Sequence, residues 1–173
     1  MNTELQKSIE RFQNHMRYVD EVAMVVLKGH LLIEEALTRI IEKFIFHPEH
    51  LEEAKLSFYQ KVHLARSLCL RKNQFKIWEL MLRINSLRNE LSHALESDER
   101  NRKFERVKTL YLEEMPSSEK SENPKEQPDH IVASYACALC AGFLSSFESD
   151  ASTFKKIVGN IDSILNPMKK QKQ

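Results

Sequence analysis

The chain has 173 residues, 26 Lys or Arg against 25 Asp or Glu, a formal net charge of +1, 42% hydrophobic residues and 29% charged residues. This length supports one domain, 1–173, with a real core. The composition excludes a disordered chain, and near-neutrality argues against a protein that coats DNA by bulk charge, so any RNA contact must be local. With only 3 Gly and 5 Pro, and many Leu, Glu, Lys and Arg, the chain is expected to be all-α, a bundle of about five to seven helices.

Residues 3–17 read as a polar amphipathic helix, with Thr3 as N-cap and Ile9, Phe12 and Met16 at spacings of three and four. Residues 19–46 form the most apolar helix, carrying Val26, Ile33, Leu37, Ile40 and Ile41 on more than one stripe, as a central helix does. Gly29 within it costs helix stability and predicts a close approach by a neighbour. His47-Pro48 stops that helix, and Pro48 opens a short one over 48–54. A helix over 57–70 has Phe58, Val62, Ala65, Leu68 and Cys69 on its inner face. The next spans 74–95, and a charged helix over 98–115 buries Phe104, Val107, Leu110 and Tyr111. The stretch 116–128, without an apolar residue and with three prolines, is expected as a loop or disordered linker. A last helical stretch, 129–165, is expected to bend or break near 149–152, and the basic tail 167–173 to fray. No strand is predicted. With no basic, apolar leader and no uncharged apolar run near 18 residues, a cytoplasmic protein with no membrane contact is expected.

The helix over 74–95 holds the most informative residues. Ile77, Leu80, Ile84, Leu87, Leu91 and Leu95 form one apolar stripe. Arg88 lies at its edge, while Asn89 and His93, four apart, share a different face. Phe75, Trp78 and Leu82 project towards that second side, which is expected to meet another helix or another subunit. In Arg88-Asn89-Glu90-Leu91-Ser92-His93, a cation suited to phosphate stands close to a side chain that titrates near neutral pH, a pairing suited to a phosphodiester. Arg88 and His93 are about 140° apart around an ideal helix, so the Arg must curl towards the His or a dimer must bring two copies into one cleft.

This stretch resembles the Arg-polar-x3-His motif of the HEPN superfamily, and the segment Lys28-Gly29-His30-Leu31-Leu32-Ile33-Glu34-Glu35-Ala36-Leu37 looks like the long early helix of its prokaryotic members. The resemblance covers about 20–147. The chain is similar, more loosely, to the mannitol operon repressor family. The HEPN resemblance implies a helical bundle, a homodimer whose two motifs line one cleft, and metal-independent RNA cleavage with no cofactor, in a toxin or phage-defence setting with an antitoxin or regulatory protein as partner. His93 would be the general acid or base, Arg88 would hold the scissile phosphate, and Asn89 would orient His93 or donate to the phosphate. Ser92 stands beside them as a supporting residue. Glu34 or Glu35 would pair with Arg88; the sequence does not choose between them. His93 is followed by Ala94-Leu95 and lacks the tyrosine of toxins paired with a nucleotidyltransferase, so that pairing is not expected.

The alternatives belong to other classes. An Arg88 held in a buried ion pair and a His93 capping the helix end would both be structural, since cations are favourable near any helix C-terminus. A HEPN-like fold without catalysis would bind RNA, nucleotide or protein. A co-regulator like the mannitol repressor group would need a partner protein, since no helix-turn-helix with a basic recognition helix is evident. Cys137-Ala-Leu-Cys140 lies among small residues and reads as a packed helix face, with no zinc site expected because further ligands are lacking. His47 and His50 read as solvated. His30 and His63 are core-edge residues or reach the site, and Arg66, Arg71 and Lys72 line an RNA path or a solvated helix end.

Overall fold

The computed structural model describes residues 3–17, 19–93, 98–115 and 127–166 and, of His93, the place it takes on its helix. The expected linker up to 126, the tail 167–173 and Leu95 lie outside these residues. The described chain is all-α, with seven helices: α1 (Thr3–Arg17), α2 (Glu21–Phe44), α3 (Glu49–Glu53), α4 (Phe58–Ser67), α5 (Ile77–His93), α6 (Asp98–Glu114) and α7 (Asp129–Leu165).

Local chemistry sets most boundaries. Asp20 caps α2, its carboxylate accepting from the Ala23 N–H at 2.9 Å. Ser57 caps α4 through a capping box with Gln60. The α3–α4 turn runs through Lys55, whose φ of 44° is left-handed. α5 starts at Ile77, three residues later than expected, because 69–76 is a series of turns; the Trp78 indole donates to the Lys72 carbonyl at 2.9 Å and pins them.

α2 and α7 are the central pair and run in the same direction. His130 near the start of α7 meets Glu21 at 3.0 Å, and Lys43 near the end of α2 meets Glu148 at 2.6 Å. Small residues on α7 permit this approach: Ala133, Ala136 and Cys140 are fully buried, and a Cβ on Gly29 would stand 2.8 Å from that of Cys137. α4, α5 and α6 close the core around Ile33, Leu37, Trp78, Leu80, Met81 and Leu87, each fully buried.

Two expectations about α7 are corrected. It does not break near 149–152, where helix continues through all four residues. Ala151 is fully buried in the seam, and the Ser152 and Thr153 hydroxyls donate to the Glu148 and Ser149 carbonyls four residues back, so these polar residues are satisfied inside the helix. An uncharged run of membrane length also exists: α7 contains an 18-residue window of mean hydropathy 1.5, and 39% of that window is buried inside the bundle. A central bundle helix acquires such a composition by packing. α1, in contrast, packs on none of the other described helices, and Leu5, Ile9 and Phe12 are exposed.

Candidate functional site

α5 carries the site because its two sides differ. Ile77, Leu80, Ile84 and Leu87 are buried, and Leu91 packs half-buried against them. At 100° per residue, the opposite arc of its last turns holds Arg88, Ser92, Asn85, Asn89, His93 and Ser86 in angular order. Arg88 is half-buried, Asn89 and Ser92 are exposed, and His93 occupies the helix's last described position.

Arg88 Nη1 donates to Asn89 Oδ1 at 3.3 Å, and Ser92 Oγ donates to the Arg88 carbonyl at 2.9 Å. Among the described residues no carboxylate lies within ion-pair distance of Arg88. Glu34 takes a different cation, with Lys61 Nζ 2.9 Å from its carboxylate. Glu35 is exposed on the outer side of α2, on an open cleft with Leu31, Thr38, Arg39 and Glu42. Glu34 and Lys61 border that same cleft, so the two glutamates lie together on it, Glu34 turned to Lys61 and Glu35 exposed, and neither pairs with the motif Arg.

Beneath the motif lies a buried polar cluster. His30, 5% exposed, has its Nε2 2.9 Å from Asn85 Oδ1, and its ring stacks on Phe58 with centroids 4.2 Å apart. With Nε2–H as the donor, Nδ1 presents a lone pair; it has no hydrogen-bond partner, and Glu34 Oε2 is 4.0 Å away. Burial pushes the His30 pKa down, and the charges of Arg88 and Lys61 push the same way; the Asn85 bond and Glu34 oppose them. His30 is thus held as neutral imidazole. Asn85 and Lys61 escaped the sequence reading, although Asn85 is one turn before Asn89 on the same ridge, and a polar residue beside Ile84 signals a partner across the core. His63 does not join this cluster. It is exposed on α4 against Tyr59, with ring centroids 4.3 Å apart.

The other expected residues divide. Trp78 is fully buried, edge-on to Phe143 and Phe147 at 5.1 and 6.1 Å, so it meets α7. Leu82 packs half-buried on the same core. Phe75 is half-exposed and touches Phe143 edge-on at 6.1 Å. Arg66 Nε donates to the Asn73 carbonyl at 2.7 Å, and Lys72 bonds Ser146 Oγ at 2.7 Å, so both serve local structure, while Arg71 is exposed.

A basic cleft the sequence did not announce lies between α5 and α6, a cavity of about 290 Å³ lined by Arg83, Ser86, Glu99, Arg102, Lys103 and Arg106. Its cations are linked to Glu79, Glu90 and Glu99. Asn89 and the position of His93 fall on the arc of α5 between Arg88 and this cleft. Among the described residues no three His, Cys, Asp or Glu side chains gather as a metal site. No family model, curated protein or solved structure matches the chain.

Proposed function

We propose that the chain is a metal-independent endoribonuclease of the toxin or phage-defence type, working as a cytoplasmic homodimer with two Arg88/His93 motifs around one RNA cleft. The observation that carries this reading is the state of Arg88: its guanidinium bonds only Asn89 among the described residues, on the same continuous helix as His93. The guanidinium makes that bond at the exposed surface, and an arginine left open to solvent with no carboxylate is suited to a phosphate. Arg88 holds the scissile phosphate and offsets its developing charge. His93 moves the proton of the ribose 2′-hydroxyl or of the leaving oxygen. Asn89 steadies the guanidinium, and the cleft between α5 and α6 takes the flanking phosphates.

The angular separation of Arg88 and His93 favours a second reading. About 140° around one helix sets a monomer poorly for joint action on one phosphate. A non-catalytic module that binds RNA, nucleotide or a protein partner, including a co-regulator, needs no such convergence.

RNA cleavage in EDTA by wild type, Arg88→Ala and His93→Ala separates these. Cutting by wild type alone, with all three chains equally helical by circular dichroism, supports the nuclease. RNA retained by the wild type without products supports the binding module, and cutting that survives in both variants rejects the motif as the centre.

A further inference from the structure

α7 carries the seam of the core past the end of its neighbour. Cys140, Leu144, Phe147 and Ala151 recur at alternating spacings of four and three, and all are buried. The alternation continues unbroken through Phe154, Val158, Ile161 and Leu165. α2 stops short of them: the Phe44 ring lies 5.4 Å from that of Phe154, and Lys155 Nζ reaches the Ile45 carbonyl at 3.0 Å. Phe154 and Ile157 border a cleft of about 550 Å³ with Phe44 and Leu68; past it the seam turns outwards, with Val158 half-buried. Phe154 is 40% exposed, Ile161 49% and Leu165 71%, while Ile157 and Ile164, at 53% and 77%, add an apolar row along one flank.

We propose that this segment is a self-association surface, and that its occupant is the same segment of a second copy lying antiparallel across a two-fold axis. A seam spaced alternately four and three is the pattern by which helices interlock side by side, and a two-fold contact requires one patch to complement itself. This patch does. With the axis passing between Gly159 and Asn160, Phe154 faces the second copy's Leu165 and Val158 faces its Ile161, so all four seam residues find a seam partner. The flanking row closes on itself too, Ile157 lying beside the other copy's Ile164.

Charge placement agrees. Lys155 lies against the last carbonyls of α2. The incoming helix ends at the same place, bringing its own negative C-terminal end and Asp162, so Lys155 becomes a cation between two helix C-termini. The exposed stripe of α1 from another copy, Leu5, Ile9 and Phe12, has a similar spacing, but Gln6, Ser8 and Gln13 flank it; it would leave the row of Ile157 and Ile164 uncovered. The surface lies at the far end of the bundle from Arg88, which sits near His30 in the first half of α2. It is therefore a different contact from the one that would bring two Arg88/His93 motifs into one cleft, and it stands or falls apart from that reading.

Cross-linking and mass test the proposal. Under mild oxidation, an equal mixture of Val158→Cys and Ile161→Cys chains is expected to form a covalent dimer well beyond that of either variant alone or of wild type. Light scattering at about 100 μM is expected to show a two-fold lower mass for the double variant Val158→Asp/Ile161→Asp than for wild type, with equal helix content by circular dichroism and a melting temperature that, unlike the wild type's, does not rise with concentration. Gly159→Ala, on the outer side of the helix, is expected to keep the wild-type mass. A monomeric wild type, an unchanged mass in the double Asp variant, or cross-linking of Val158→Cys to Phe12→Cys in preference to Ile161→Cys would overturn it.

Discussion

Gly29 of α2 and Cys137 of α7 are in such close contact that a Cβ on Gly29 would overlap the Cys137 sulfur and stand 2.8 Å from its Cβ. The glycine that weakens α2 is the one that lets the two central helices meet. Gly29→Ala gains about 1 kcal/mol of helix propensity but forces two helix backbones apart, and overpacking a tight core costs about 1–3 kcal/mol. A net loss of stability in urea unfolding is expected, with Cys137→Ala restoring only part of it because the Cβ at that position remains. Equal or greater stability of Gly29→Ala would show that the helices are free to separate.

The same seam sets the chemistry of the Cys-x-x-Cys pair. Burial pushes the Cys137 thiol up to about 11, and burial together with Cys137 pushes Cys140 well above the usual thiol value. Cys69 is half-buried at the surface of the bundle. Brief iodoacetamide treatment at pH 8 should therefore modify Cys69 alone, and all three thiols once the chain is unfolded. Mass spectrometry of the native protein showing two or three adducts would contradict this.

His30 makes the fold sensitive to mild acid. Burial holds its folded pKa below the unfolded value near 6.5, so the unfolded chain takes up a proton that the folded chain resists. This contribution to stability is complete above that value and is lost as pH falls through it towards the folded value. Comparing melting temperatures at pH 7.5 and 5.5, His30→Gln should lose less than wild type. The groups facing His30 are Glu34, Lys61, Asn85 and Arg88, and an equal or larger loss in the variant would mean that His30 takes its proton without cost.

Asp20 ties the start of α2 to α6. Its carboxylate caps the helix and meets Arg100 Nη1 at 2.6 Å. Burial raises its pKa, but Arg100 and the capping amides outweigh this and hold it below the usual carboxylate value. Asp20→Ala should cost about 1–2 kcal/mol, as the loss of an N-cap does, and Asp20→Asn less because it still caps. The advantage of wild type over Asp20→Asn should hold above about pH 4 and fade as the pH drops through the lowered value. Denaturant titrations at pH 7 and 3 measure both.

Lys55 holds a left-handed φ of 44° between α3 and α4. This conformation costs a non-glycine residue roughly 1–2 kcal/mol, partly offset in a glycine variant by its freer unfolded chain. Lys55→Gly should raise stability by up to about 1 kcal/mol, and any loss would show that the lysine side chain makes a contact worth more than the backbone it strains.

The sequence by itself determined the helices, because their signals are local. Apolar spacing placed the inner faces of α2, α4, α5 and α6, Pro48 punctuates the chain after α2, and the one glycine inside α2 marked a close contact. Arg88, Asn89 and His93 were legible for the same reason, being neighbours on one helix. Tertiary structure alone decided what lies around them. It joined His30 to Asn85 and Glu34 to Lys61 across gaps of 55 and 27 residues, left Arg88 without a carboxylate among the described residues, assembled the basic cleft from α5 and α6, and kept α7 continuous through 149–152, where Ala151 is buried amid polar residues. Helix periodicity states which face of a segment turns inward. Which two faces meet depends on packing between distant segments, and no local spacing encodes that.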